Sequence, residues 1–165
     1  MAQFHVVSDM HRRLFQVFED TKTKKKHKFP KDIILPQRST PLSAGYDFVL
    51  VDDIDFLPNQ TTIVVTDIKF ECADDEFLDI RIRSSLGIKH NLMVANQPAV
   101  IDADYFENPD NDGNIMIAIR NLGGITYKAK TGEKIAQGLI MNYKTTIDDS
   151  PKISKRLGGI GSTGK

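Results

Sequence analysis

Phe77–Arg83 reads F-L-D-I-R-I-R, with Leu78, Ile80 and Ile82 on one side of an extended chain and Asp79, Arg81 and Arg83 on the other. A strict period of two marks a half-buried strand and is incompatible with a helical face. Shorter runs of the same kind recur along the chain. They are Tyr46–Leu50, Thr62–Val65, Leu92–Ala95, Ile115–Ile119, Ile125–Lys128 and Ile135–Met141. Turn-forming residues separate them at Pro58-Asn59, Asn108-Pro109-Asp110, Gly123-Gly124 and Thr131-Gly132. Many short strands with no long helical period imply an all-β chain, closed as a jelly-roll-like β-barrel.

The 165 residues suffice for one domain with a real core. Lysine plus arginine equals aspartate plus glutamate at 22 each, so no global positive field points to nucleic acid. Cys72 is the single cysteine and has no internal disulfide partner. With no signal-like N-terminus, the expectation is a reducing, cytoplasmic setting. No apolar run approaches the ~20 residues of a membrane span.

Residues 1–20 support two readings. Val7, Met10, Leu14, Val17 and Phe18 fit a helical face, whereas Leu14–Phe18 also fits a first strand. Thr21–Lys28 holds five lysines in eight residues. Lacking aromatics for base stacking, it reads as a solvated loop held open by self-repulsion. Pro30 and Pro36 punctuate the stretch before Ser43, and Thr145–Ser154, polar and carrying Pro151, reads as a linker.

Asn96–Tyr105, N-Q-P-A-V-I-D-A-D-Y, ends an apolar pair, Val100 and Ile101, in Asp102, Asp104 and Tyr105. On an extended chain Asp102 and Asp104 face one side, and Ala103 and Tyr105 the other, unless the strand bends there. Burying an unpaired carboxylate costs several kcal/mol, so these acids sit at a rim, are paired, or have a chemical task. Four further segments carry the residue types of a phosphate site: Ser43–Asp47 (S-A-G-Y-D), Arg83–Ser85 (R-S-S), Gly132–Gln137 (G-E-K-I-A-Q) and Arg156–Gly164 (R-L-G-G-I-G-S-T-G). The fork of Arg83 with the hydroxyls of Ser84 and Ser85 can hold phosphate oxygens. Asp47 suits a water-mediated contact with magnesium, which prefers oxygen ligands and keeps several waters. The amide of Asn96 offers one acceptor and two donors to a polar edge, and that of Gln137 can bond a phosphate or a water. The last segment's glycines free its backbone to wrap a ligand. Gly159–Lys165 imitates a Walker A loop but lacks the Ser/Thr after the lysine and the helix that such a loop needs.

These five segments, in this order, resemble the five motifs of the trimeric dUTP diphosphatases (dUTPases), in a Gram-positive bacterial or phage-like form. The likeness runs from about Pro41 to Gly164. It implies hydrolysis of dUTP to dUMP and diphosphate, with magnesium, at sites shared between the subunits of a homotrimer. It implies that Asp102, rather than Asp104, is the general base that activates water. Arg83, Ser84, Ser85 and Gln137 would grip phosphates. Arg156, Gly161, Ser162 and Thr163 would close over the outer ones. Asn96, Val100, Ile101 and Met116 would line the uracil and deoxyribose pocket, with Tyr105 packed flat on the sugar and Ile160 covering the base. Residues 1–144 would form the barrel domain, with 1–12 as an extension, and 145–165 a linker and flexible arm.

The chain departs from the family pattern in three places. Ile160 stands where a phenylalanine usually stacks on uracil, and Arg156 precedes Gly158 by two residues where many members have three. Phe106–Gly113 is longer than the usual hairpin tip and carries no assigned role. Two rival readings are a dCTP deaminase of the same fold and a dUTPase-like regulator that binds another protein. The order of the five motifs argues against the first.

Overall fold

The computed structural model describes residues 1–12, 33–151 and 158. The described residues are mostly β. In chain order the strands are β1 (Gln3–Val6), β2 (Gln37–Arg38), β3 (Tyr46–Val49), β4 (Ile54–Phe56), β5 (Thr61–Val65), β6 (Ile68–Glu71) and β7 (Glu76–Ile82). After a short helix, α1 (Ser84–His90), come β8 (Leu92–Val94), β9 (Ala99–Asp102), a 3-10 turn (Ala103–Tyr105), β10 (Met116–Asn121), β11 (Tyr127–Ala129) and β12 (Lys134–Asn142).

The largest sheet runs β2-β3-β12-β7-β9, all antiparallel. Its inner face is apolar because alternate residues of each strand point inward. Phe48, Leu78, Ile80 and Ala136 are fully buried there. A second sheet, β5-β10-β8, brings Val64, Ile117, Ile119 and Val94 to the same core, and the pairs β1-β6 and β4-β11 complete it. The strands therefore form four sheets among the described residues, not the expected closed barrel. Several strands have only two to four residues, and the register of β12 on β3 shifts between Lys134 and Ala136. Short ladders and a bulge end pairing before it can close.

The N-terminus divides the helical reading of residues 1–20: residues 9–12 are helical, with the His11 and Arg12 N–H groups donating to the Ser8 carbonyl, but the residues before them are not. Gln3–Val6 is a strand that pairs with Ile68–Glu71. Phe4 packs at 4.9 Å from Phe70 and 5.8 Å from Phe48, ring centre to ring centre, and Val7 is buried. Residues expected as a mere extension thus supply core. The alternative first strand, Leu14–Phe18, and the lysine run Thr21–Lys28 lie outside the described residues.

Two local expectations also change. Asp79, on the side of its strand expected to face water, is 3 % exposed. Its Oδ2 accepts from Arg81 Nη2 at 2.7 Å and Nε at 3.0 Å, while its Oδ1 is buried without a hydrogen-bond partner among the described residues. Arg83-Ser84-Ser85 does not simply end a strand. Arg83 caps α1, whose first turn holds both serines, and Asn91 ends the helix in the left-handed region at φ 54°. Only Leu86 of α1 is buried, so seven residues offered no period to read. No helix among the described residues is long and apolar enough to cross a membrane.

Candidate active site

The β3-β12-β7 end of the large sheet gathers charge. Asp47 on β3 stands directly opposite Gln137 on β12, which stands opposite Arg81 on β7. Asp47 is 8 % exposed and has two hydrogen-bond donors and a further cation beside it. Lys134 Nζ donates to Oδ2 at 2.8 Å, Ser39 Oγ donates to Oδ2 at 2.6 Å, and Arg83 Nη1 lies 3.2 Å from Oδ1. Lys134 also donates to Ser39 Oγ at 2.9 Å. Burial would push the Asp47 carboxyl up, but hydrogen bonds from Lys134 and Ser39 and the charge of Arg83 hold it below its ordinary value. Gly45 lies against Gln137, and a Cβ there would stand 2.5 Å from Gln137 Oε1. The glycine of S-A-G-Y-D permits that close approach. Arg38 Nη1 donates to the carbonyls of Pro41 and Ser43 at 3.1 and 3.3 Å, which fixes the approach to Asp47.

Arg83 is extended, with φ −66° and ψ 140°, and its carbonyl accepts from the N–H groups of Leu86 and Gly87 at 3.0 Å each. The N–H groups of Ser84 and Ser85 precede those first intrahelical donors, as expected for a helix start. Both serines are exposed. Arg83, Ser84, Ser85, Gln137 and Asp47 therefore belong to one end of one sheet.

The other end carries Asp102. It closes β9, pairs with Phe77 and is exposed. The chain then turns into the 3-10 segment, so Asp102 and Asp104 do not share a strand face as an extended chain would have had them. Both nonetheless line an open cleft of about 730 Å³ with Val100, Phe77, Phe106 and Tyr143. Ile101 points the other way and packs on the core. Asn96 is exposed in the turn between β8 and β9. Met116 is half-buried at the start of β10 opposite Val65. Tyr105 is buried, its hydroxyl donating to the Asn114 carbonyl at 2.9 Å. Asn96, Ile101, Tyr105 and Met116 do not line the cleft that holds Asp102. Arg156, Ile160, Gly161, Ser162 and Thr163 lie outside the described residues.

The two ends are far apart in one chain. Asp102 lies three strands from Asp47 across the sheet, β3-β12-β7-β9. Its row, Phe77–Met141, lies four residues along from the row of Asp47, Arg81–Gln137. With ~3.3 Å per residue and ~4.8 Å per strand, the two carboxylates stand roughly 20 Å apart. Between them the outer face bears Phe77, Leu139, Val100 and Met141, the last two 46 % and 38 % exposed.

Sequence reasoning missed Lys134 and Ser39. Lys134 sits inside the G-E-K-I-A-Q segment, whose lysine was a usable signal. Ser39 precedes every motif and carried none.

A family model described as dUTPase matches residues 31–164. The chain is 35 % identical over 133 residues to the deoxyuridine 5'-triphosphate nucleotidohydrolase of Lactococcus lactis, covering 80 % of this chain and 89 % of that protein. It is 30 % identical over 141 residues to the enzyme of the same name from Helicobacter pylori strain P12, covering 83 % and 93 %. Among solved structures it resembles the dUTPase of Streptococcus mutans, with a TM-score of 0.68 and 26 % identity over 87 % of this chain and 97 % of that one. The dUTPase of Staphylococcus aureus phage phi11 matches in fold, with a TM-score of 0.63 at 18 % identity over 93 % of this chain and 99 % of that one.

Proposed function

The chain belongs to the dUTPase family and is a dUTP nucleotidohydrolase, and we propose that its active site is complete only where three copies meet. One copy supplies Arg83, Ser84, Ser85 and Gln137 to the phosphates. A second supplies Asn96, Val100, Ile101, Tyr105 and Met116 to the nucleoside, and Asp102 to the water. A third supplies the segment from Arg156 to Thr163. The separation of roughly 20 Å between Asp47 and Asp102 carries this reading, because no single triphosphate centre reaches both ends. The apolar outer face around Phe77, Val100, Leu139 and Met141 supports it as contact surface for another copy.

Asp102 takes a proton from water while the water oxygen bonds to the α-phosphorus. The bond from that phosphorus to its bridging oxygen breaks, and diphosphate leaves with the electron pair. Arg83 and the N–H groups of Ser84 and Ser85 hold the phosphoryl oxygens where charge develops, which is the main source of acceleration in such chemistry. The dUTPase family uses magnesium. A carboxylate has about four lone-pair positions, and hydrogen bonds from Lys134 and Ser39 use two on Asp47, with Arg83 beside it as a charge. Asp47 can therefore still accept from a magnesium-bound water, and no cage of three acids or histidines exists among the described residues. Bound to the triphosphate, the metal supplies positive charge there. Ile160 covers the base.

Diphosphate release is measured from dUTP with and without magnesium, beside dCTP, dTTP and UTP. Selective, magnesium-dependent release is expected, with Asp102→Asn and Arg83→Ala each nearly inactive. The two variants are then co-refolded. Partial recovery of activity is expected, since mixed trimers contain sites with one intact copy of each group. A mixture no more active than its parents removes the shared-site reading.

A further inference from the structure

We propose that Asn111 is a positioning residue for Tyr105, and that discrimination against ribonucleotides depends on it. This rests on the reading of Tyr105 as the wall against the sugar. Tyr105 is held from both ends by the loop immediately C-terminal to it. Its hydroxyl donates to the Asn114 carbonyl at 2.9 Å and accepts from Asn111 Nδ2 at 2.7 Å. Its main-chain carbonyl accepts from Asn108 Nδ2 at 2.9 Å. Asn111 is itself fixed, its Oδ1 accepting from Asn108 Nδ2 at 2.7 Å and from the Gly113 N–H at 3.1 Å.

The three asparagines are 3 %, 1 % and 0 % exposed in chain order, so bulk water cannot replace a lost partner. Gly113 has φ +77°, and a Cβ there would stand 2.8 Å from the Tyr105 carbonyl oxygen. The loop is pressed onto the residue it holds. Phe106–Gly113, longer than a usual hairpin tip, carries the amides that make this clamp. From outside, Asp112 ties the loop to Lys69 Nζ at 3.0 Å and to the Ser8 N–H at 2.8 Å.

A tyrosine ring can tilt about two torsions, and packing restrains its body better than its tip. Hydrogen bonds at the hydroxyl restrain the tip. A wall that excludes one hydroxyl group must not yield by even ~1 Å, since displacements of that size cost about 10²-fold in well-organised sites.

The test compares kcat/KM for dUTP and UTP in the wild type, Asn111→Ala, Tyr105→Phe and the double variant, with Tyr105→Ala as reference. The dUTP:UTP ratio is expected to fall about tenfold in each single variant. The loss should enter mainly through the KM for dUTP and the gain on UTP, with kcat for dUTP changed less. The double variant is expected to lose clearly less than the two single losses combined, because both remove the Asn111–Tyr105 bond, although Tyr105→Phe also removes the bond to the Asn114 carbonyl. Tyr105→Phe removes it without opening the loop, so the measurement survives if Asn111→Ala folds poorly. An unchanged ratio in Tyr105→Phe, or additive losses in the double variant, overturns the proposal. If Tyr105→Ala also leaves the ratio intact, the reading of Tyr105 as the sugar wall has fallen with it. If Tyr105→Ala alone destroys the ratio, only the role of Asn111 has.

Discussion

The two ends of this molecule solve the problem of buried polarity in opposite ways. Around Asp47 two of the three partners are ionic, on long side chains, and partly open to water, the third being the Ser39 hydroxyl: the side chains of Lys134 and Arg83 are 45 % and 32 % exposed. Around Tyr105 the partners are neutral amides, short-tethered and buried. A charged cluster at the surface can exchange one partner for another at modest cost, because solvent covers the interval. A buried amide network cannot, because every lost bond leaves a group unsatisfied. The first arrangement would suit the phosphate role proposed for Arg83, which must let go of a carboxylate. The second would suit the wall proposed at Tyr105.

The contrast breaks most sharply at Arg83. Arg83→Ala is expected to lower kcat/KM for dUTP roughly 10²- to 10³-fold, as removal of one aligned donor to a developing anion does. Stability should fall little, because Lys134 and Ser39 still satisfy Asp47. Steady-state kinetics beside a urea titration separates the two effects. Unfolding as the main consequence would mean that Arg83 is a structural partner of Asp47 and nothing more.

Asn108→Ala should do the reverse. It removes the donor to the Tyr105 carbonyl and to Asn111, and the acceptor for the Asp110 and Asn111 N–H groups. A loss of about 2–3 kcal/mol is expected, since several buried groups lose partners at once. Thermal unfolding would fall by roughly 5–10 °C for a domain this size. A change below about 0.5 kcal/mol would mean that water enters the loop and the amides are no clamp.

The difference between the two ends also decides what is visible in the sequence. Phe77–Arg83 was legible as a strand because seven residues gave the period three repeats, and Glu76–Ile82 is that strand. Ile54–Phe56, Ile68–Glu71 and Gln3–Val6 are too short to show a period, and pairing with distant partners makes them strands. Arg83 and Asp47 stood out in the sequence because their motifs are local, and the structure brings the two side chains together. What holds Asp47 was less legible, since Lys134 lies 87 residues away and Ser39 has no motif. The clamp on Tyr105 was not legible. N-P-D-N-D-G-N reads as turn chemistry, and only the positive φ of Glu107, Asp112 and Gly113 folds it back onto the tyrosine.

Acid should sharpen the contrast. Burial would push the Asp112 carboxyl up, but the Ser8 N–H and Lys69 hold it below its ordinary value of 3.8. A carboxyl depressed on folding contributes stability that is present above its unfolded pKa and lost as pH falls through the folded one. Asp112→Asn is therefore expected to be less stable than wild type at neutral pH, with the gap closing as pH falls below about 4. Asn111→Ala has no such group, so its deficit should stay constant over the same range. Urea titrations at several pH values check both. A gap for Asp112→Asn that persists into acid would mean that the hydrogen bond from Ser8, not the charge, carries the contribution.

The smallest effect is expected where the nucleoside end relies on contact area instead of hydrogen bonds. In the proposed site Ile160 would cover the base, and an isoleucine is β-branched and has no aromatic face. Ile160→Phe adds a ring able to stack in an offset manner, a gain of about 0.5–1.5 kcal/mol beyond burial. That corresponds to roughly two- to tenfold in KM for dUTP, or in the rate at which the segment closes. The gain should be nearly equal for UTP and dUTP, because stacking reads the base and ignores the sugar. Asn111→Ala should change their ratio instead, so the two substitutions divide the nucleoside end into a part that measures area and a part that measures shape. Equal or poorer kinetics in Ile160→Phe would mean that the isoleucine already fits its cover and that the added ring strains the closure it was meant to help.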